Sequence, residues 1–352
     1  MTPFIGPEQL MRETGRDELV RLGANESAFG PSPAALAAMN AEMPRISWYG
    51  DPESFELREA LARKHNCSIE ELVVGAGIDD IMGLVVRAYI APGGTALTTR
   101  GSYPTLNYHV TGYGGRLVYG RYYDDGRVDL DAFLEVAERE KPSLLYLANP
   151  DNPSGTFIGA DDMKRLFDAL PHDAVFLLDE AYADFAEERE LLAAGIEDRL
   201  IRTRTFSKAY GMAGARIGYA IAGTAVIATL QKIRLHYGVN RSAQIGALAS
   251  LRDEPFRRNV VAQVAEARED YYALARELGL AVIPSRTNFV CIDLGTAERA
   301  TRVMNELLSR GVWIRKPGLP PLDRFVRVSA GTTSMRAAFA EAFRATVAEV
   351  PA

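Results

Sequence analysis

The chain is poor in the residues that build several common kinds of site. Only two of its 352 residues are cysteines, Cys67 and Cys291, far apart and outside any C-x-x-C spacing. They cannot form a disulfide framework, and they point to a reducing compartment. The four histidines, His65, His109, His172 and His236, show no metal-ligand spacing, so no metal is expected. Positive charge is not in excess: 40 Lys and Arg face 46 Asp and Glu, for a net charge of −6. That excludes a nucleic-acid partner held by a basic face. No apolar run reaches membrane-spanning length, and "MTPFIGPEQLMRETG" lacks the basic-then-apolar order of a signal peptide. A soluble, cytoplasmic protein with no membrane partner is expected. Its length exceeds one ordinary core, so a large domain and a smaller one are the default.

What is present is alternation. "ELVVGAG" is a short apolar run stopped by glycines, and "DDIMGLVVRAYI" then carries helical spacing. "GTALTTRGSYP", "PSLLYLANPDNPSG" and "AVFLLDEAYADF" read as strands closed by turns or carboxylates, and "YHVTGYGGRLVYG" as a helix, a glycine break and another strand. "LIRTRTFSKAYG" and "ARIGYAIAG" read as two more strands around a lysine. Short apolar runs alternating with helical segments predict βαβ units and a mostly parallel sheet covered on both faces. After about residue 245 the character changes. A long amphipathic helix, a strand pair, a helix, two strands and a closing helix predict an α+β unit. We divide the chain into a large domain, 25–245, and a small domain made of 1–24 plus 246–352. With no Ser/Gly-rich linker, the two should share a large interface.

In open parallel sheets ligands bind beyond the C-terminal strand ends. The polar groups expected there are Gly75-Ala76-Gly77, Tyr103, Asn149, Asn152, Asp179, Tyr182, Ser207 and Lys208. Asp179 leaves the apolar run "VFLL" and reads either as a helix-capping carboxylate or as a buried anion facing a cationic ring nitrogen, the usual partner in pyridoxal phosphate sites. Lys208, taken alone, reads as a solvated turn residue. Thr205 and Ser207 beside it, the glycines after it and Arg216 eight positions on give it a phosphate anchor. Such a lysine can hold an aldehyde cofactor covalently and shuttle protons.

These residues resemble the fold-type I pyridoxal phosphate-dependent aminotransferases of class I/II, and most closely the histidinol-phosphate aminotransferase subgroup. The likeness spans nearly the whole chain through "LGANESAFGPSP", "YGDPESFELREALA", "NPDNPSG", "LLDEAYADF", "RTFSKAYGMAGARIGYAIA" and "RVSAGT". It implies an α/β, three-layer aminotransferase fold, with a mostly parallel sheet in the large domain and a smaller α+β domain, and pyridoxal 5′-phosphate as cofactor. By motif, Lys208 carries the covalent link and moves a proton between substrate Cα and cofactor C4′. Asp179 pairs with the ring nitrogen, and Tyr182 and Asn152 bond the phenolic oxygen. Thr205, Ser207 and Arg216 hold the phosphate with the backbone amides of Ala76 and Gly77 at a helix N-terminus. Tyr103 stacks on the ring. Tyr49 reaches the cofactor phosphate of a second subunit, which implies a homodimer with shared active sites. Arg327 binds the substrate α-carboxylate, with Asn25 near it.

The chain also departs from the family pattern. "GNGSDE" is "GAGIDD" here, so Ile78 removes a hydroxyl from the phosphate site and Asp80 replaces a glutamate. Phe4 stands where the subgroup often has a tyrosine that touches substrate phosphate. Arg315, in "WIRKPG", keeps the matching arginine, and Lys316 adjoins it. His236 and Tyr237, in "RLHYGVN", either reshape the substrate pocket or, as His236 reads by itself, lie on a partly exposed helix. The expected reaction moves an amino group from a small-molecule donor, an amino acid or amino alcohol phosphate, to a 2-oxo acid, with glutamate and 2-oxoglutarate as the nitrogen pair. Alternatives are an aromatic or other aminotransferase, and an amino-acid phosphate decarboxylase or other lyase on the same fold. A non-enzymatic effector domain of a transcription regulator would need a DNA-binding segment that the chain does not show.

Overall fold

The computed structural model describes residues 5–192 and 196–351. Phe4 therefore lies outside the described residues. The strands are β1 (Val20–Arg21), β2 (Leu72–Gly75), β3 (Thr95–Thr99), β4 (Arg116–Gly120), β5 (Leu144–Ala148), β6 (Val175–Asp179), β7 (Leu200–Thr205), β8 (Gly218–Ile221), β9 (Val282–Ile283), β10 (Phe289–Asp293), β11 (Val312–Trp313) and β12 (Phe325–Ser329).

Seven of these form the central sheet in the order β2-β8-β7-β6-β5-β3-β4. Every pairing from β7 to β4 is parallel, while β8 runs antiparallel to both β7 and β2. The reversal has a local cause. The lysine stretch between β7 and β8 carries a short 3-10 turn, Ala213–Ala215, and no α-helix, so it lacks the helical crossover that usually joins parallel neighbours.

Side chains alternate across the sheet with period two. On β5 and β6, Leu144, Tyr146, Val175 and Leu177 enter one core, while Leu145, Leu147, Phe176 and Leu178 enter the other. Burial on both faces is why these strands read as unbroken apolar runs. Helix Ile78–Tyr89 packs on the first face through Ile81, Met82 and Val85. Helix Leu130–Glu140, started by Asp129 capping the Ala132 amide, packs on the second through Phe133 and Ala137.

The C-terminal part builds a separate core around the antiparallel sheet β12-β10-β9. Helix Ala297–Ser309 contributes Ala300, Val303 and Leu307, and helix Thr333–Glu349 contributes Phe339 and Phe343. Residues 20–21 join this part, because β1 pairs in parallel with β11 and Leu22 is buried in the same core. Helix Arg241–Arg252 runs unbroken through residue 245. Its Ala243, Ala247 and Leu248 pack with Leu57, Leu61 and Val74, on the side of the central sheet. The chain turns at Asp253, whose carboxylate caps the long helix Glu254–Glu277.

Candidate active site

The C-terminal ends of β3, β5, β6 and β7 open on one cavity of about 1260 Å³, which the N-terminal segment 24–26 and residues 315–319 and 327 also line. Tyr103, Asn152, Asp179, Tyr182, Thr205, Ser207, Lys208, Arg216, Arg315, Arg327 and Asn25 all lie on its wall. The sheet register brings them together. Ala148 pairs with Asp179 and Asp179 with Thr203, so β5 and β6 end at the same level and β7 runs two residues further, to Thr205.

Asp179 is buried at the end of β6. It accepts hydrogen bonds from Tyr146 Oη (2.9 Å) and from the Ala181 N–H (3.0 Å). Burial pushes its carboxyl up to about 6, against the opposing pull of those two donors. Its hydrogen-bond partners are neutral, so the site presents a buried acid in need of a cation. The helix-capping alternative does not describe it, since the next element is the short turn Ala183–Phe185 and Asp179 turns to the cavity. Glu180, the next residue, faces away. It is clamped by Arg202 Nη2 (2.7 Å) and Arg204 Nε (2.8 Å), and the two guanidinium groups outweigh burial and hold its carboxyl below the usual range. The adjacent carboxylates of "DEAY" thus have opposite electrostatic surroundings.

Lys208 Nζ donates to the Asn25 carbonyl oxygen at 2.9 Å and lies 5.4 Å from the centre of the Tyr182 ring. Asn25 Nδ2 donates to Tyr182 Oη at 3.0 Å, and Asn152 Oδ1 accepts from Arg327 Nη1 at 2.6 Å. Asn152 is held in place by its neighbour Asp151. That buried carboxylate accepts from Tyr122 Oη and from the Ser154 hydroxyl and amide, which fixes the loop after β5.

Just before the lysine in the chain, Thr205 Oγ1 and Ser207 Oγ are 2.9 Å apart. Arg216 has left-handed backbone (φ 56°), and its guanidinium folds back over Gly77. A Cβ on Gly77 would stand 2.6 Å from Arg216 Nη2, and Gly77 itself has φ 88°, so this cradle requires glycine. Gly211, also left-handed, lets the lysine stretch lie directly on the Gly30 carbonyl.

Ala76 and Gly77 stand otherwise than expected. The Ala76 N–H donates to Asp80 Oδ2 (2.9 Å) and the Gly77 N–H to the Gly75 carbonyl (2.8 Å), and neither residue lines the cavity. The tight turn at Gly75–Gly77 and the carboxylate of Asp80 consume both donors. Ile78 and Asp79 line the cavity in their place, in the first turn of a helix whose leading N–H groups have no intrahelical acceptor. Ile78 is otherwise buried in the core. Tyr49 lies outside the cavity of its own chain; it is 76% exposed and stacks on Tyr237 with ring centres 4.4 Å apart. His236 is exposed in the turn after helix Thr224–Ile233 and on no helix, and neither it nor Tyr237 lines the cavity.

Four residues were not singled out in the sequence. Asp79 accepts from Tyr103 Oη (2.9 Å) and from Arg216 Nη2 (3.2 Å), joining the expected ring-stacking and phosphate-binding groups. Tyr146 supports Asp179. Asn288 donates to the Asn25 carbonyl (3.1 Å), and the Ser329 hydroxyl accepts from the Asn25 N–H (2.9 Å). The one signal was Tyr146, a polar-tipped residue in the otherwise apolar "LLYLA". At the far end, Arg315 and Arg327 exchange backbone hydrogen bonds (2.6 and 3.2 Å), which places both guanidinium groups on one wall. Burial, then the charge of Arg327, lowers the Arg315 pKa. Lys316 Nζ donates to the Asp323 carbonyl at 2.9 Å.

The arrangement fits the implied cofactor. A buried acid for a ring nitrogen, a lysine, a phenol and amide for a ring oxygen, and a hydroxyl pair with a guanidinium for a phosphate line one space.

The sequence matches the family described as aminotransferase class I and II over residues 17–343. It is 37% identical to a histidinol-phosphate aminotransferase of Roseiflexus castenholzii, over 94% of this chain and 91% of that one. It is 36% identical to histidinol-phosphate aminotransferase 2 of Pseudomonas aeruginosa, over 92% and 88%. Its structure resembles that of the Sinorhizobium meliloti histidinol-phosphate aminotransferase in complex with pyridoxal-5′-phosphate, with TM-score 0.96, 40% identity and coverage of 99% and 96%.

Proposed function

The chain belongs to the aminotransferase class I and II family, and from that premise we propose that it is a pyridoxal phosphate-dependent transaminase acting on histidinol phosphate or a closely similar amino alcohol phosphate, with glutamate and 2-oxoglutarate as the nitrogen pair. Bound in the cavity, the cofactor supplies an electron sink for the pair left when a Cα proton is removed. The side chains do the rest. Asp179 offers its buried negative charge to the ring nitrogen. Asn152 and Tyr182 face the ring oxygen, and Tyr103, tied to Asp79, covers a ring face. Thr205, Ser207 and Arg216 grip the phosphate. Lys208 Nζ moves a proton between substrate Cα and the cofactor carbon C4′.

The observation that carries the substrate reading is the Arg315–Arg327 pair. Two guanidinium groups on one wall favour a substrate with more negative charge than a single carboxylate, which a phosphate monoester and a dicarboxylate both provide. An aromatic amino acid carries one carboxylate only. The test is a half-reaction panel on the purified holoenzyme, following conversion of the cofactor from its aldehyde to its amine form. Histidinol phosphate and glutamate should convert it. Conversion by aromatic amino acids but not by histidinol phosphate would overturn the substrate; carbon dioxide release without a keto product would favour a decarboxylase.

The domain division is proposed as 25–252 for the large part and 1–24 plus 253–352 for the small one, moved from 245 to the end of helix Arg241–Arg252 because that whole helix packs on the large core. A homodimer is proposed from the exposed group Ile46 (62%), Trp48 (63%), Tyr49 (76%), Leu235 (72%) and Tyr237 (53%), an apolar surface that suits burial against a second copy. Tyr49 would then reach the partner's cofactor phosphate. A cytoplasmic location is proposed from the two unpaired thiols.

A further inference from the structure

Among the described residues of the cavity wall, Asn25 touches the lysine, the phenol and the small-domain sheet at once. Its backbone is left-handed (φ 54°), which turns its carbonyl toward Lys208 Nζ (2.9 Å) while its side chain reaches Tyr182 Oη (3.0 Å). Left-handed backbone is unfavourable for a residue other than glycine, so surrounding contacts must hold it. Those contacts come from β12 and from the residue before β10. Ser329 Oγ accepts from the Asn25 N–H (2.9 Å) and donates to Asn25 Oδ1 (3.2 Å). Asn288 Nδ2 donates to the same Asn25 carbonyl that takes the lysine (3.1 Å). Asn288 is 2% exposed and Ser329 3% exposed, and the Ser329 N–H donates to the Leu22 carbonyl (2.9 Å), closing the segment onto β12. Arg327 is two residues from Ser329 on the same strand, and its Nη2 donates to the Gly23 carbonyl (3.4 Å).

We propose that Asn288 and Ser329 are positioning residues for proton transfer: together they hold the Asn25 peptide so that its carbonyl receives the Lys208 ammonium. When the lysine amine takes the substrate Cα proton it becomes an ammonium, and the same proton later leaves it for the cofactor carbon. Between those events the positive charge needs an acceptor within reach that does not itself take the proton, and a peptide carbonyl meets that requirement. The second donor on this carbonyl, from Asn288, fixes its direction. Because Arg327 holds the same segment at Gly23, anion binding there and seating of the lysine share one piece of backbone.

The inference rests on Lys208 being the proton carrier, and it is independent of which donor amine the enzyme uses. The test compares wild type with Asn288→Leu, which keeps the shape and removes the donor, and with Ser329→Ala, which loosens Asn25 from the other side. With whichever amine converts the holoenzyme, kcat should fall roughly tenfold in each variant, the loss of one hydrogen bond near a charge, while KM for both substrates stays within about twofold. The kinetic isotope effect with an α-deuterated donor should rise. In cofactor-free protein an amine-directed acylating reagent, read by peptide mass spectrometry, should modify Lys208 several-fold faster. Unchanged kcat, a rise in KM alone, or unchanged labelling of Lys208 overturns the proposal. So does loss of activity only in step with lost thermal stability, which would make both residues merely structural. If Asn288→Leu does not fold, Ser329→Ala decides alone by the same readouts. A failed donor panel with these labelling differences intact would refute the substrate and leave this proposal standing.

Discussion

Asp179→Asn should make the cofactor-free protein more stable at neutral pH while damaging the holoenzyme. Asp179 is buried, and its carboxyl is pushed from the ordinary 3.8 up to about 6. A folded-state value above the unfolded one means the native state binds the proton more tightly. Ionising the group therefore costs stability as pH rises from 3.8 to 6, and the full cost persists above 6. A rise from 3.8 to about 6 corresponds to ~3 kcal/mol. Asparagine removes that charge and keeps the shape. Its oxygen can take the Ala181 N–H, and Tyr146 can turn its hydroxyl to accept from the new NH₂, so the network survives with about one bond altered. Allowing ~1 kcal/mol for that change, the variant should gain ~2 kcal/mol at about pH 8. By pH 5 the wild-type penalty is down to ~1.6 kcal/mol and the gain should be well under half. Urea unfolding of cofactor-free protein at the two pH values measures this. The holoenzyme should behave in the opposite sense, with weaker cofactor retention and slower turnover, because the ring nitrogen loses its counter-charge. A variant no more stable than wild type at pH 8, or a gain that grows toward pH 5, would refute the reasoning.

Glu180→Gln should cost ~3 kcal/mol at neutral pH, since it leaves Arg202 and Arg204 facing a neutral group in a buried clamp. Because the Glu180 carboxyl is held below its usual range, the wild-type advantage should fade as pH drops below about 4.5; urea unfolding at pH 7 and pH 4 checks both. Arg327→Lys keeps the charge and loses the planar fork, so KM for glutamate should rise ~10-fold or more with a smaller change in kcat. Arg315→Gln should raise KM for the phosphorylated donor ~10-fold or more and spare an unphosphorylated aromatic amine, if one is turned over at all; equal losses for both would place Arg315 outside phosphate recognition.

The local pattern made the fold legible. Apolar runs of strand length, broken by Gly, Pro and Asn turns, located the seven strands of the central sheet, and the change of character after 245 located the second core. A boundary at 245 falls within a helix, because Arg241–Arg252 has ordinary amphipathic spacing and only its partners Leu57 and Leu61 show to which core it belongs. Lys208, Asp179, Tyr182 and Arg216 were legible because each sits at a strand end or in a motif of fixed spacing. The glycine turn suggests the Ala76 and Gly77 amides as anion donors, but a sequence does not say that Asp80 and Gly75 accept those two N–H groups.

Short windows of the chain encode the chemistry that can happen: a lysine in a glycine-bearing turn, a carboxylate leaving an apolar strand, and a hydroxyl pair with an arginine eight positions beyond the lysine. How those groups are held emerges in three dimensions alone. Asn25, Asn288 and Ser329 are separated by hundreds of residues or by different strands, and they meet because the chain's N-terminal segment closes onto β12. Tyr146 reaches Asp179 because β5 and β6 pair in one register and in no other. Local sequence fixes periodicity and turn chemistry, whereas such long-range hydrogen bonds depend on strand order and register, which are set only when the cores on both faces of the sheet are packed.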